Sequence, residues 1–387
     1  MKSQQLQRAQ NEIIAANCDF ALLSSLSNVT YASGYEVPVN VGALAEMSFG
    51  TAVALIGARD ESYLITPNSG AGKAREQSWL DARLQFETFD SFDDIDSRAS
   101  FTEVVRASMR AAGLENSSAT IGVEGRTMPH AISELLTRDF PNLKLVEIDG
   151  AMQKARSIKT PREIELLRNA AHIGDIGHRT LANLCRESGK DEFEMWSEIT
   201  SAMNRAVGTE IVVTGELVTG PRSSVVLYPN GPKNRVTQSG DAALMDISGR
   251  VNGYWFDVSN THIVGRVLPT ATQKRFAKAS QDACEGAMSA LKPGARASDA
   301  AEAARVAFEK HGLSVAHYSG HQIGVAVNEL PRLVPYDHTE IEVGMVFSVE
   351  PGAYEGEGGS FGARSEKMVL VTETGPEIIS DFDWGIA

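Results

Sequence analysis

The chain has 387 residues, which on ordinary domain sizes allows two or three domains with substantial cores. Its net charge of −14 argues against a nucleic-acid partner, because such a partner requires a basic face. The polar start MKSQQLQRAQ lacks the apolar stretch of a signal peptide, and no segment is apolar for long enough to span a membrane. We therefore expect a cytoplasmic protein without a membrane partner.

The first half of the chain alternates short apolar runs with helical patterns. The runs, typical of strands, are residues 19–25, 51–56, 63–66 and 120–123, and the helical patterns are residues 2–17 and 101–112. This alternation predicts an α/β domain with a mixed sheet. A boundary is expected around residues 152–160, before a long helical pattern, which gives an N-terminal domain at 1–155 and a second domain at 156–387.

Two apolar strands in the second domain carry aspartates. Asp246 lies in residues 242–248 and Asp257 in residues 254–260, and a glycine-containing segment between them has the composition of a hairpin turn. A hairpin centred on residues 251–252 would place the two carboxylates directly opposite each other. Because like charges in that arrangement repel, a shared cation is the natural compensation.

A second hairpin repeats the pattern with glutamates. Residues 346–353 carry Glu350, residues 363–372 carry Glu366, and a glycine-rich segment connects them. Pairing centred on Gly358 would bring the two glutamates to opposite positions. This register depends on the absence of a bulge in the connection.

A fifth residue, His321, completes a set of groups that commonly bind metals. Four carboxylates and one imidazole cannot remain buried together without cations, because isolated charges are costly in a dry interior. Two divalent ions would balance the four negative charges. The sequence therefore predicts a dinuclear metal site formed by Asp246, Asp257, His321, Glu350 and Glu366.

The stretches that contain these residues resemble the successive motifs of the creatinase, prolidase and aminopeptidase P superfamily. They are GDAALMDISGRVNGYWFDVSNTHIVG, HYSGHQIGVAVNELP, GMVFSVEPGAY and GARSEKMVLVTETG. The segments SNVTY with a following glycine, IKTPREI and LKPG resemble further motifs of the family and extend the similarity over nearly the whole chain. The resemblance implies an α/β (α+β) architecture, with a creatinase-like N-terminal domain followed by a pita-bread catalytic domain.

The resemblance also implies an activity. In the family, the residues that match these five bind two divalent ions (Mn, Co, Zn or Fe), and a metal-bound hydroxide attacks the carbon of the C–N bond that is cleaved. Glu350 would bind metal and also accept the proton of the water, and His317 matches a family histidine near the site. The resemblance further implies a small-molecule or dipeptide substrate, such as an Xaa-Pro dipeptide, and a homodimer.

The chain departs from the family's peptidases in its substrate region. Asn328 stands where they have a histidine seven residues after the ligand histidine, and residues 227–231 lack a second expected histidine. Asn260 replaces a common arginine. Asparagine donates hydrogen bonds but carries no proton at working pH, so these changes favour an altered substrate. The candidate substrate-binding residues are Asn328, Tyr228, Arg332, Arg364 and Arg222, the arginines being suited to a substrate carboxylate.

Three functional hypotheses follow. The first is a metal-dependent hydrolase that cleaves a C–N bond, either an amide or an Xaa-Pro-like bond. The second is a non-peptidase on the same scaffold, similar to creatinase or to dimethylsulfoniopropionate lyase. The third is a catalytically inactive binding module, which the complete set of five candidate ligands disfavours.

Overall fold

The computed structural model describes residues 3–39, 46, 48–59, 61–226 and 230–386. The chain divides into two compact units, Met1–Arg156 and Ser157–Ala387. Among the described residues, no helix combines the length and apolar character that crossing a membrane would require.

The N-terminal unit is built around a mixed sheet. Its strands are β1 (Phe20–Leu23), β2 (Val53–Gly57), β3 (Tyr63–Pro67), β4 (Ala82–Phe86), β5 (Thr120–Val123) and β6 (Lys144–Glu147). Its helices are α1 (Gln4–Ala15), α2 (Leu26–Ser33), α3 (Ala71–Gln77), α4 (Ser97–Ala111), α5 (His130–Asp139) and α6 (Asp149–Ser157). The strand order within the described residues is β4-β3-β2-β1-β5-β6. Strand β2 runs antiparallel to both its neighbours, whereas the pairs β3–β4, β1–β5 and β5–β6 are parallel.

This sheet confirms the mixed α/β domain predicted from the alternating pattern. Its core is formed by apolar side chains of the central strands and of helices α4 and α5, such as Leu22, Leu55, Phe101 and Leu135. Strands β4 and β6 were not predicted. Most residues of both strands are at least partly exposed, so they lack the continuous apolar run that marks a buried strand.

The second unit contains the candidate site. Its helices are α7 (Pro161–Leu184), α8 (Glu192–Val207), α9 (Ala271–Ala290) and α10 (Ala297–Lys310). Its strands are β7 (Val212–Thr219), β8 (Ala242–Val251), β9 (Tyr254–Ile263), β10 (Gly320–Gln322), β11 (Glu329–Arg332), β12 (Val346–Val349), β13 (Gly352–Tyr354), β14 (Gly362–Arg364), β15 (Lys367–Thr372) and β16 (Gly375–Ile378). Within the described residues these strands form sheets ordered β7-β8-β9, β11-β10-β12-β15-β16 and β13-β14.

Local sequence signals set the ends of the helices that pack on these sheets. Helix α7 begins with a capping box, in which the Thr160 side chain accepts from the Glu163 amide and Glu163 accepts from the Thr160 amide, and Pro161 occupies the first turn. Helix α8 ends at Gly208, whose φ of 85° is the left-handed conformation that glycine adopts easily. The apolar core lies between α9, α10 and the five-stranded sheet.

The register of the β8–β9 hairpin corrects the sequence prediction. Asp246 pairs with Ser259, and Asp257 pairs with Ser248, so the two aspartates are diagonal neighbours and do not face each other directly. The turn consists of two residues, Asn252 (φ 50°) and Gly253 (φ 86°), the combination that favours a tight hairpin. The longer turn in the prediction placed the centre one residue too early. The observed partner of Asp246, Ser259, lies two residues from the predicted partner, Asp257. Side chains two residues apart on a strand point to the same face, so both carboxylates still lie on one face of the hairpin.

The register of the second hairpin is confirmed. Val349 pairs with Lys367 on one side of the glutamates and Gly352 pairs with Arg364 on the other, both in the register centred on Gly358. Between these pairs the ladder is interrupted, because the Glu366 amide donates to the Ser259 carbonyl and the Glu350 amide to the Ser319 carbonyl. The interruption ties the hairpin to β9 and to the segment before β10.

Candidate metal centre

The five predicted ligands converge on one place in the second unit, although they come from five separate strands or strand ends. Their ligand atoms form two groups, each with all atoms within 4.8 Å of one another: Asp257, His321 and Glu366 in one, and Asp246, Glu350 and Glu366 in the other. Glu366 belongs to both groups. The two groups therefore have one carboxylate in common.

Four of the five candidate ligands are buried, and Asp246 is partly exposed. Glu366 is 0% exposed, His321 2%, Glu350 7% and Asp257 8%, while the Asp246 side chain is 16% exposed. Three serine hydroxyls on the hairpins orient the carboxylate segments. Ser248 donates to Asp257 Oδ1 at 2.8 Å, Ser259 donates to Glu366 Oε2 at 2.7 Å, and Ser348 donates to the Asp257 carbonyl at 3.0 Å.

The tautomer of His321 follows from its contacts. Its Nδ1 lies 2.9 Å from the Gln322 carbonyl, which can only accept, so Nδ1 carries a proton. Nε2 lies 3.3 Å from Glu350 Oε1 and 3.5 Å from Asp257 Oδ2. Burial alone would lower the pKa of His321, but these two carboxylates outweigh it and raise the pKa to about 10. The imidazolium therefore supplies positive charge where a cation would lie.

The pKa values of the carboxylates also reflect the shortage of positive charge among them. Burial raises the pKa of Asp246 and of Glu366 well above the usual range, and neighbouring carboxylates raise both further. Burial also acts to raise the pKa of Glu350, but the hydrogen bond and charge of His321 lower it overall. Glu366 Oε1 is buried and has no hydrogen-bond partner among the described residues. An orphaned carboxylate oxygen beside three other carboxylates fits a divalent cation, so the residues present suit the group that they were predicted to bind.

Arg364 contacts two carboxylates at the edge of this site. Its Nη1 donates to Asp246 Oδ2 and lies 3.2 Å from Glu216 Oε2, and its Nε donates to the Tyr354 hydroxyl at 2.8 Å. The Arg364 side chain is 6% exposed. Its side chain therefore contacts two carboxylates and one hydroxyl of the protein.

His317 lies beside this arginine network. Its Nδ1 is 2.8 Å from the Tyr318 carbonyl and therefore donates, which leaves Nε2 to accept from the Tyr354 hydroxyl at 3.2 Å. Burial and the charge of Arg364 lower the pKa of His317, so the ring is neutral near pH 7.

A cavity of about 340 Å³ is lined by four of the five candidate ligands, Asp246, Asp257, His321 and Glu350. A volume of this size accommodates a small molecule or a dipeptide. Polar and apolar side chains from both larger sheets and their connecting segments form its wall: Thr214, Gly215, Glu216, Val226, Asp246, Ser248, Trp255, Asp257, His317, Tyr318, His321, Val327, Asn328, Glu350 and Arg364.

The candidate substrate-binding residues do not all lie at this cavity. Asn328 lines it, and its Oδ1 accepts from Arg332 Nε at 3.1 Å, so Arg332 contacts the cavity residue without being part of the wall. Arg222 forms an ion pair with the fully buried Glu192 and also donates to Asn230. Its guanidinium therefore contacts protein groups and does not line the cavity. Tyr228 lies outside the described residues.

Glu216 and Tyr354 were missed by the sequence analysis. Glu216 lies on β7 directly opposite Asp246, in a strand far from any of the recognised motifs. An acidic residue within the apolar run ELVT was the available signal. Tyr354 ends the GMVFSVEPGAY motif, and its spacing from Glu350 gave no indication that it would contact Arg364. Asn260 has a structural role: it donates to the Asp383 carbonyl at 2.9 Å and accepts from the Gly385 amide at 3.1 Å, which fixes the C-terminal segment.

Comparison with known proteins identifies the family to which both parts of the chain are similar. Residues 165–373 match metallopeptidase family M24, and residues 5–158 match the creatinase/prolidase N-terminal domain. The chain is 28% identical to an Xaa-Pro dipeptidase of Pyrococcus furiosus over 319 residues, covering 82% of this chain and 83% of the relative. It is 25% identical to a creatinase of a Bacillus species over 405 residues, covering 98% of this chain and 90% of the relative.

A solved structure has the same fold. The prolidase of Pyrococcus horikoshii superposes with a TM-score of 0.79 at 23% identity, covering 100% of both chains. The similarity confirms the predicted α/β architecture, with a creatinase-like N-terminal domain and a pita-bread catalytic domain. Because the M24 match includes the segments that carry all five candidate ligands, the chain belongs to metallopeptidase family M24, a family of metal-dependent hydrolases.

Proposed function

We propose that this protein is a dinuclear metal-dependent hydrolase that cleaves the C–N bond of a small amide or of an Xaa-Pro-like dipeptide. The observation that carries the proposal is the pair of ligand groups that share Glu366. The Xaa-Pro dipeptidase relative supports a dipeptide substrate, and the cavity of about 340 Å³ has a suitable size.

The protein would hold two divalent ions, with manganese as the first candidate to test. Asp257, His321 and Glu366 would bind one ion, and Asp246, Glu350 and Glu366 the other. When bound, the ions would lower the pKa of a water molecule and polarise the scissile carbonyl. Carboxylates with one imidazole suit several first-row metals, so ligand type alone does not select among them.

Glu350 is the proposed proton acceptor. It is 7% exposed and lines the cavity, and its lowered pKa keeps its carboxylate ionised at neutral pH. An ionised carboxylate in contact with a substrate cavity can accept a proton from the attacking water and return it to the leaving nitrogen. His317 is the proposed second catalytic group, since its neutral ring also lines the cavity.

Asn328 and Arg332 are proposed to bind the end of the substrate beyond the scissile bond. The side-chain oxygen Oδ1 of Asn328 accepts a hydrogen bond from Arg332 Nε. This contact orients the side-chain amide so that its Nδ2 can donate to a substrate carboxylate or carbonyl. The Arg332 guanidinium, part of an exposed residue, is available at the same end for a carboxylate.

A dipeptide panel tests this proposal. The chelated protein is assayed with Ala-Pro, Met-Pro, Ala-Ala and Pro-Ala, with and without added Mn²⁺, and the Glu350→Gln variant serves as the inactive control. Manganese-dependent release of proline from Xaa-Pro substrates, reduced by about 10²-fold or more in Glu350→Gln, is the expected result. No cleavage of any dipeptide by the protein loaded with two metal equivalents would contradict the dipeptidase assignment.

A second candidate is a non-peptidase activity on the same scaffold. The replacement of the family histidine by Asn328 at the cavity favours it, as does similarity to creatinase over 98% of the chain. Turnover of creatine or another small C–N substrate by a protein inactive on every dipeptide would support this alternative. The homodimer stays a prediction from the family resemblance, and sedimentation of the purified chain tests it. The cytoplasmic location stays a prediction from the sequence.

A further inference from the structure

Glu216 is a buried carboxylate next to the candidate metal centre that the ligand set does not include. Its side chain is 5% exposed, and on β7 it stands directly opposite Asp246 on β8. Two carboxylates directly opposite on neighbouring strands repel each other. Arg364 Nη1 lies between them and contacts both, which compensates the repulsion.

The contacts of this trio are uneven. Glu216 uses Oε2 for Arg364 at 3.2 Å, while its Oε1 is buried without a hydrogen-bond partner among the described residues. For Arg364, the structure records hydrogen bonds from Nε and Nη1 but none from Nη2 within the same residues. Glu216 and Arg364 therefore have an unused acceptor and an unused donor, and their ion pair through Oε2 and Nη1 would become a bidentate guanidinium–carboxylate contact if these two atoms also met.

Charge balance indicates how the contacts of Arg364 change when metal binds. Four carboxylate ligands carry four negative charges, and two divalent ions carry four positive charges. Once Asp246 gives its charge to an ion, the buried Arg364 requires another anion, because a buried charge without a partner is strongly destabilising. Within the part of the chain that the structure describes, Glu216 is the other carboxylate that forms an ion pair with Arg364.

We propose that Glu216 is a positioning residue for metal loading, which takes over Arg364 when Asp246 becomes a metal ligand. The inference rests on the metal pair of the proposed function. In the metal-free protein, Arg364 is shared between Asp246 and Glu216. In the loaded protein, Glu216 holds Arg364 through both carboxylate oxygens, so the arginine neither competes with the ion for Asp246 nor repels it.

Metal titration of four forms of the full-length protein tests the proposal. Chelator-treated wild type, Glu216→Gln, the double variant Glu216→Gln with Arg364→Met, and Glu192→Gln are titrated with Mn²⁺ by calorimetry and with Co²⁺ by absorption. Glu192 is the matched control, because it is a buried glutamate paired with Arg222 in the same unit and contacts none of the five ligands.

The proposal predicts opposite effects of the two substitutions. Glu216→Gln weakens metal binding by about 10–100-fold, the usual cost of removing a residue that supports a ligand. Adding Arg364→Met recovers most of that loss, because the guanidinium that competes with the ion for Asp246 is removed. Glu192→Gln binds metal within about twofold of wild type. If Glu216→Gln does not fold, Arg364→Met alone must bind metal more tightly than wild type.

Two results would overturn the proposal: unchanged metal affinity in Glu216→Gln, or weaker binding in the double variant than in Glu216→Gln. A purely structural ion pair would give the first result together with a loss of stability in urea. Failure of the proposed function is distinguishable, because wild-type protein would then bind fewer than two metal equivalents regardless of how the variants compare.

Discussion

Metal binding should release a proton from His321, and this makes metal affinity strongly dependent on pH. In the metal-free protein burial lowers the pKa of His321, but hydrogen bonds and charges of Asp257 and Glu350 raise it to about 10. The ring is therefore fully protonated between pH 6 and pH 8. Because Nδ1 donates to the Gln322 carbonyl, a metal ion can bind only at Nε2 and must displace the proton there.

The size of the effect follows from linkage. If binding releases one proton, the apparent Kd for the metal falls about tenfold for each unit by which pH rises. This corresponds to about 1.4 kcal/mol of binding free energy per pH unit. Between pH 6 and pH 8, the stabilisation by a fixed excess of Mn²⁺ should therefore grow by about 2.7 kcal/mol. Protons held by Asp246 and Glu366, whose pKa values are raised by burial, would increase this figure.

The metal-free protein should respond in the opposite direction. A histidine whose folded pKa is raised contributes its full stabilisation below the ordinary value of 6.5 and loses it as pH rises towards about 10. The free energy of unfolding attributable to His321 therefore falls through this window in chelator. Comparing loaded and chelated protein at each pH cancels the titration of groups distant from the site.

Urea unfolding at pH 6, 7 and 8, with chelator or with excess Mn²⁺, measures the difference in free energy of unfolding. Calorimetry in two buffers of different ionisation enthalpy counts the released protons directly. We expect at least one proton released at pH 7. A difference between loaded and chelated protein that stays constant over the two pH units, with no proton release, would refute the assignment of His321 Nε2 as a ligand.

Three substitutions test other parts of the site. Ser259→Ala removes the 2.7 Å hydrogen bond to Glu366 and should weaken Mn²⁺ binding by about 10–100-fold in calorimetric titration, and an unchanged Kd would argue against a shared Glu366. Gly215→Ala places a methyl group 2.1 Å from the Asp246 carbonyl at a φ of +139°, and should lower the free energy of unfolding in urea by more than about 2 kcal/mol. Asn328→Ala should reduce kcat/KM about tenfold, the loss of one substrate hydrogen bond, while metal stoichiometry stays unchanged.

The sequence predicted the convergence of the ligand segments because hairpin pairing constrains which residues can meet. The Glu350–Glu366 register was correct, since the glycine-rich connection adds the same number of residues to both sides of Gly358. The Asp246–Asp257 register was wrong because the tight turn at Asn252 and Gly253 extends both strands. The composition of the connecting segment suggested a longer turn, and the positive φ angles of Asn252 and Gly253 in the folded chain identify the two-residue turn.

Contacts made over long sequence separations were beyond prediction. Glu216 reaches Asp246 through the β7–β8 pairing, and the long connection between these strands carries no register information. Arg364 was predicted to bind substrate, and its contacts with both Asp246 and Glu216 depend on that pairing. The edge strands β4 and β6 were missed for a related reason, because partly exposed strands have no apolar pattern.

The most direct test of the central claim is a crystal structure of the protein soaked with Mn²⁺, with anomalous scattering to locate the ions. We expect two peaks about 3.5–4 Å apart, one bound by Asp257 and His321, the other by Asp246 and Glu350, with Glu366 contacting both. A single peak, or none at all at saturating manganese, would contradict a dinuclear centre built on a shared glutamate.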